Sequence, residues 1–310
     1  MIITVTLNPA VDKTVVLPSF EVGRINRVAS MRSDAGGKGI NVSKVIHTLG
    51  GKSKAIGLLA GRAGDTIKGY LDALGIENNF LFVEGETRTN LKILDNGAKT
   101  TTEVNESGPD VSPHDLLKLE ALLRAEIREG DVVVISGSVP PSVDTDIYQR
   151  LIEACRVLGA RTILDADGEL LKKGVKAGPY LLKPNIHELE GLAGKKLNSV
   201  QEILHTARAL LQSHSIHQVV VSMGDKGALY IETQQAFLAH GIQVEAKSTV
   251  GAGDAMVAAL ALSLEQGHEW DTTIRLSMAA GIANVLTSGS QAAPYESVVE
   301  KMERIQYSRL

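Results

Sequence analysis

Short runs of β-branched and aliphatic residues recur along this chain with longer segments of helical period between them, and no other feature constrains the fold as much. The runs lie at residues 2–7, 55–59, 132–136, 162–165, 180–182 and 219–222. Strands spaced by helical segments need crossover connections, which favour a mostly parallel sheet covered by helices. Between the runs, Val42, Val45, Ile46 and Leu49 repeat at i, i+3, i+4 and i+7, and Leu116, Leu119, Leu122 and Leu123 form a similar stripe. Both faces of the sheet therefore acquire amphipathic helices, and the expected class is a doubly wound α/β fold. Two segments break the rhythm, residues 13–31 and residues 87–104. The stretch LKILDNGAKTTTEV in the second predicts a hairpin around Asn96-Gly97. Together they predict a small β lid beside the carboxyl ends of the strands, where open α/β sheets bind ligands. The whole of 1–310 is expected to form one α/β domain carrying this lid.

Composition narrows the function. The chain has 310 residues, 44% hydrophobic and 22% charged, enough to bury a full core. Its 32 Lys and Arg against 36 Asp and Glu give a net charge of -4, with no basic block suited to gripping phosphate backbones, so nucleic acid is not an expected partner. Cys155 is the single cysteine, which excludes an internal disulfide and a CxxC metal site. The start, MIITVTLNPAVDK, lacks a basic leader region, and no run of 18 apolar residues occurs, the richest stretch at 255–264 stopping at Glu265. A cytoplasmic protein that makes no use of a membrane is expected.

The strongest local signal is Ser248-Thr249-Val250-Gly251-Ala252-Gly253-Asp254, followed by the apolar run AMVAALALSL. Two glycines flanking one small residue allow a tight turn that aims consecutive N–H groups into a concavity at a helix start, where the dipole favours anions. Asp254 at that point suits removal of a proton from an attacking hydroxyl, and it equally suits a helix cap. A second glycine cluster, Ala35-Gly36-Gly37-Lys38-Gly39-Ile40-Asn41, precedes the Val42 stripe. It lacks the spacing of a P-loop and of a dinucleotide fingerprint. Backbone without side chains there admits a polyol closely, with Lys38 and Asn41 as donors, or it is a plain turn with a solvated lysine.

Other stretches fall at strand ends. Lys183-Pro184-Asn185 with Glu188 sets a cation, an amide and a carboxylate after an apolar run, a set that can hold Mg²⁺ through water or simply begin a helix. Ser222-Met223-Gly224-Asp225-Lys226-Gly227 can let a nucleotide lie against backbone or can be an ordinary turn after a strand. Arg88 and Asn90 open one lid segment, and Arg24 and Arg27 lie in the other; the planar guanidinium suits phosphate. Asp12 follows the first run, where a carboxylate can accept from sugar hydroxyls or serve a turn. No histidine spacing of a metal site and no G-x-S-x-G elbow is present.

AGGKGINVSKVIHTLGG and STVGAGDAMVAALALSL, in that order with KPNIHE and VSMGDKGA between them, resemble the two signatures of the PfkB carbohydrate kinase family, which has the ribokinase-like fold. TLNPAVD, ETRTNLKI and ISGSVPPS resemble the branch acting on phosphorylated ketohexoses. The resemblance implies that Asp254 accepts the proton while N–H groups of Gly251, Ala252 and Gly253 hold the migrating phosphoryl group. It implies a sugar-phosphate side of Asp12, Arg24, Gly37, Lys38, Asn41, Arg88, Asn90 and Ser138. ATP is expected along Lys183, Asn185, Ser222, Gly224 and Gly227, with Asn284 near the adenine, and Mg²⁺ near Glu188. D-fructose 1-phosphate is the expected acceptor, with tagatose 6-phosphate and fructose 6-phosphate as alternatives and a homodimer through the lid as the expected assembly. A non-catalytic sensor of sugar phosphate or nucleotide is the rival, which has no need of Asp254. One departure stands out: Asp165-Ala166-Asp167-Gly168-Glu169 carries Asp167 where relatives often have serine.

Overall fold

The computed structural model describes residues 1–245, 248, 250–287 and 291–310; Thr249 of the Gly251 signature lies outside the described residues. Two sheets organise the chain. The larger has ten strands: β1 (Ile2–Thr6), β4 (Ser53–Ala60), β5 (Glu77–Val83), β8 (Val132–Ser136), β9 (Arg161–Asp165), β10 (Leu181–Leu182), β11 (Gln218–Ser222), β12 (Gly227–Ile231), β13 (Ala236–His240) and β14 (Tyr307–Arg309). The smaller has β2 (Ala10–Leu17), β3 (Ser30–Gly36), β6 (Arg88–Asp95) and β7 (Thr100–Asn105). The large sheet runs β14-β13-β12-β11-β10-β9-β8-β1-β4-β5, and the small one β3-β2-β6-β7. From β11 to β5 every pairing is parallel, and β12, β13 and β14 extend the edge antiparallel.

Among the described residues, ten α-helices cover the large sheet or its margins: α1 (Lys38–Thr48), α2 (Gly61–Ala73), α3 (Pro113–Glu126), α4 (Ile147–Val157), α5 (Gly168–Lys176), α6 (Ile186–Ala193), α7 (Val200–His214), α8 (Ala252–Gln266), α9 (Trp270–Val285) and α10 (Tyr295–Met302). Strand alternation sends side chains to two cores. Val133 and Ile135 of β8 pack with Leu119 of α3, Leu151 of α4 and Leu211 of α7. Val132 and Val134 pack on the opposite face with Val45 of α1 and Leu260 of α8. Strands buried on both faces read as unbroken apolar runs, which is why period two is invisible in VVVI. Cys155 is fully buried in the first core, where burial pushes its thiol up to about 12. No helix among the described residues is long and apolar enough to cross a membrane.

The six apolar runs and both leucine or valine stripes fall on strands and helices as read, with Leu49 one residue past the end of α1. The small sheet is wider than residues 13–31 and 87–104, since β2 begins at Ala10 and β3 reaches Gly36. The β6–β7 turn spans residues 96–99, and the left-handed residue is Lys99 rather than Gly97. Asp95 explains this geometry. Its Oδ1 accepts from the N–H groups of Gly97 and Ala98, while Oδ2 accepts from Phe20 N in the β2–β3 connection. The carboxylate thus closes a longer turn than an Asn-Gly pair requires.

Gly57 of β4 pairs with Thr6 at the centre of the parallel core, and a Cβ there would collide with the Thr6 carbonyl. Gly57→Ala is therefore expected to destabilise the protein by about 1–3 kcal/mol, the range typical of overpacking. Urea unfolding checks it, and an unchanged midpoint would contradict the packing described.

Candidate active site

A cleft of about 1170 Å³ opens between the small sheet and the carboxyl ends of the large sheet's strands. The glycine signatures fold into its floor. Gly251 adopts φ 81°, a left-handed conformation open to glycine, and stands as the residue before α8. The first N–H groups of a helix have no partner within it, so the turn from Gly251 through Gly253 presents donors to the cleft that these residues line. The cap position is taken by Gly251, and Asp254 stands in the first turn. Its Oδ2 accepts from Asn41 Nδ2 at 2.8 Å. Gly37, at φ 111°, starts α1 and thereby brings Lys38 and Asn41 to the same floor.

Beneath them lies an ion cluster that the spacing of motifs does not reveal. Asp165, at the end of β9 and fully buried, meets Lys183 Nζ at 3.1 Å and Lys38 Nζ at 3.3 Å. Burial would push its carboxyl up, but the two ammonium groups outweigh that and hold it below the usual carboxylate range. Lys38 goes the opposite way. Burial opposes its charge, yet Asp165, Asp254 and Glu188 raise its pKa above that of an ordinary lysine. Asp254 is pushed up to about 6, first by burial and then by the Asp165 charge, with Lys38, Asn41 and Lys183 offsetting part of the rise. Lys183 also reaches the helix start, its Nζ being 3.6 Å from where a Cβ on Gly253 would stand.

The small sheet supplies the opposite wall. Asp12 and Asn90 are register partners on β2 and β6, and Asn90 Nδ2 donates to Asp12 Oδ1 at 3.0 Å. A side chain on Gly36 would collide with the Asp12 carboxylate, so the glycine clears the space that carboxylate occupies. Lys44 of α1 is buried and donates from Nζ to Ala35 O at 2.6 Å; burial brings it down to about 8, with Asp12, Asp34 and Asp254 opposing the fall. Arg88 lines the cleft and donates to Asn8 O from Nε at 3.2 Å and from Nη2 at 3.0 Å. Its Nη2 also reaches Ser138 Oγ at 3.4 Å.

On the remaining side, Asn185 and Glu188 form a capping box at the start of α6, and both line the cleft. Burial raises the pKa of Glu188, with the Asn185 N–H lowering it and Asp165 raising it further. Ser222, Gly224 and Gly227 follow β11 along the same wall. Gly227 also has a structural duty, because a Cβ there would strike the Ala239 carbonyl. Three expected residues lie elsewhere among the described residues. Arg24 is on the exposed β2–β3 connection and does not line the cleft. Ser138 is exposed behind Arg88. Asn284 is buried behind the glycine turn, donating to Val250 O at 3.5 Å, rather than standing on the cleft wall. Asp167 is exposed before α5, so its charge lies outside the cleft that Asp165 faces.

The pattern of the pfkB family carbohydrate kinase matches residues 5–297. The chain belongs to that family. Among its relatives, the 1-phosphofructokinase of Borreliella burgdorferi is 36% identical over 287 residues, 92% of each chain. The 1-phosphofructokinase of Bacillus subtilis is 35% identical over 310 residues, the full length of both. Phosphofructokinase-2 from Escherichia coli in complex with potassium superposes with a TM-score of 0.93 at 30% identity, covering 98% of each chain. The matched residues span both glycine signatures and the strands between them.

For this pfkB family kinase the raised pKa of Asp254 has a consequence for stability. Its folded value of about 6 lies above the ordinary aspartate value of 3.8, so the ionised form is penalised by folding. That cost is present at pH 7 and disappears as pH falls through 6 towards 4. Asp254→Asn is expected to stabilise the protein at pH 8 by up to about 3 kcal/mol, with the gain shrinking at pH 5. Thermal melts at the two pH values test it; equal melting temperatures at pH 8 would refute the burial cost.

Proposed function

We propose that this chain transfers the terminal phosphoryl group of ATP to the 6-hydroxyl of D-fructose 1-phosphate, giving fructose 1,6-bisphosphate. The observation that carries this reading is the buried Asp254 carboxylate, held by Asn41 at the start of α8 and facing a cleft whose other wall carries Asp12, Asn90 and Arg88. The relatives called 1-phosphofructokinase support the choice of acceptor.

Asp254 takes the proton of the attacking hydroxyl, and its elevated pKa suits that task near neutral pH. The N–H groups of Gly251, Ala252 and Gly253 stabilise charge growing on the phosphoryl oxygens, with Lys38 and Lys183 alongside. Asp12, Gly37, Asn41 and Asn90 orient the sugar, and Arg88, backed by Ser138, anchors its existing phosphate. ATP lies along Lys183, Asn185, Ser222, Gly224 and Gly227. Glu188 fits a divalent cation: a partly buried carboxyl with raised proton affinity gains from a cation beside it, and Mg²⁺ ordinarily takes one or two carboxylates plus phosphates and water. When bound, Mg²⁺ would neutralise phosphate charge.

The small sheet acts as a lid that excludes water from the transfer. Exposed Val22, Ile25, Val28, Met31 and Val104 give it an apolar outer surface suited to pairing with a second copy. A structure of phosphofructokinase-2 from Escherichia coli in complex with fructose-6-phosphate, 29% identical at a TM-score of 0.91, supports the second reading, in which fructose 6-phosphate is the acceptor. Initial rates with fructose 1-phosphate, fructose 6-phosphate and tagatose 6-phosphate separate the acceptors, and the highest kcat/KM is expected for the first. No turnover of any ketohexose phosphate would leave the sensor reading in its place.

Asp254→Asn is expected to lower kcat by about 10²- to 10⁴-fold while an ATP analogue still binds. In the unmodified enzyme kcat/KM should fall as pH drops through about 6, because the base is then protonated. A flat profile down to pH 5 would remove Asp254 from the reaction.

A further inference from the structure

The registers of the small sheet set its side chains in rows, and on β2, β6 and β7 these rows line the cleft. Asp34, Asp12, Asn90 and Asn105 form one row across β3, β2, β6 and β7; two residues along, Arg32, Thr14, Lys92 and Glu103 form the next. Residues two apart on a strand share a face, so Arg88, Asn90 and Lys92 stand in file on one side of β6. All three line the cleft. The first two have engagements within the protein: Arg88 donates to the Asn8 carbonyl and to Ser138, and Asn90 to Asp12. Lys92 is held differently. Its Nζ pairs at 3.1 Å with Glu103 Oε1 on the edge strand; the Lys92 side chain is 17% exposed and that of Glu103 45%.

An ammonium carries three donors and no acceptor, more than one carboxylate oxygen uses. An ion pair with a half-exposed partner contributes little, so exchange for a stronger acceptor costs little. A phosphate monoester is such an acceptor, with a larger charge and three terminal oxygens. Arg88 and Lys92 are four residues apart, roughly 13 Å along a strand, and both side chains are long enough to converge over Asn90. The cations on the facing floor, Lys38 and Lys183, are tied instead to Asp165.

Building on the sugar-phosphate kinase reading above, we propose that Lys92 supplies a second point of attachment, beside Arg88, for the phosphate that the acceptor sugar already carries. Glu103 holds the ammonium over the cleft and is displaced when the sugar phosphate binds. Lys92 thereby selects phosphorylated ketohexoses over free ones.

Calorimetric titration of the purified enzyme with fructose 1-phosphate, and separately with a non-hydrolysable ATP analogue, tests this. Lys92→Gln is expected to weaken fructose 1-phosphate binding by about tenfold, one charge-assisted contact's worth. The analogue's affinity should not change, and Lys92→Arg should bind nearly as the wild type does. Glu103→Gln, which removes the competing carboxylate and leaves Lys92 in place, should tighten fructose 1-phosphate binding and keeps the test valid if Lys92→Gln fails to fold. Wild-type affinity in Lys92→Gln overturns the proposal. So does an equal loss for the ATP analogue, which would assign the cation to the nucleotide, or weakened sugar-phosphate binding in Glu103→Gln. Wild-type turnover of fructose 1-phosphate, measured in parallel, separates the two claims. Turnover with an unaffected Lys92→Gln sinks the Lys92 assignment alone, whereas absent turnover of every ketohexose phosphate sinks both.

Discussion

Asp165 is an almost wholly buried carboxylate at the floor of the cleft, and the site exists around the way its charge is balanced. An isolated buried carboxylate would protonate rather than stay charged. Two ammonium groups prevent that, one from each side, and in doing so are themselves fixed. Lys38 comes from the start of α1 and Lys183 from the segment after β10, so the three charges tie together parts of the chain far apart in sequence. The arrangement also sets the chemistry of Asp254. That group feels the same burial and the negative charge of Asp165, with only partial compensation from the shared lysines, and its pKa rises where that of Asp165 falls. Two aspartates in one buried cluster thus take opposite roles: one remains a permanent counter-ion, and the other is poised to exchange a proton.

The parallel sheet makes this convergence possible. Asp165 ends β9, Lys183 follows β10 and Ser222 ends β11, and these are neighbouring strands running the same way. Their carboxyl ends face one side of the sheet, where α1 and α8 also begin. That side of the fold therefore receives cations, a carboxylate pair and the starts of α1, α6 and α8.

How much of this was legible followed from whether a local pattern carried it. The strands showed themselves because burial on both faces leaves continuous aliphatic runs such as VVVI, and the glycine signatures because their backbone demands are written in consecutive residues. Asp165 carried no such signal. It is one carboxylate after RTIL, marked only by its strand-end position in a parallel sheet, and the more unusual residue of that loop, Asp167, is left exposed by the fold. Arg24 and Arg88 are both guanidinium groups in lid segments, and composition alone offers phosphate to either. The strand register places Arg88 over the cleft and leaves Arg24 on an exposed connection, a distinction set by pairing between distant residues. Asn284 lay in an apolar helix whose facing partner, the glycine turn, became known only from the packing of α9 on α8.

The two walls of the cleft are joined through α1 more tightly than their separation into two sheets suggests. Lys38 reaches the Asp165 cluster, Asn41 one turn later holds Asp254, and Lys44 one turn beyond that bonds the carbonyl of Ala35 in β3. Ala35 precedes Gly36, whose missing side chain makes room for Asp12. A helix resists bending over two turns because each of its backbone hydrogen bonds spans four residues. The Asp254 carboxylate and the inner end of the small sheet are therefore fixed to one short rigid rod. The rows of the small sheet nearest α1 thus have their spacing from Asp254 set by the helix. On the proposed reading, a hydroxyl oriented by Asp12 and Asn90 is held at a distance from Asp254 that depends on α1.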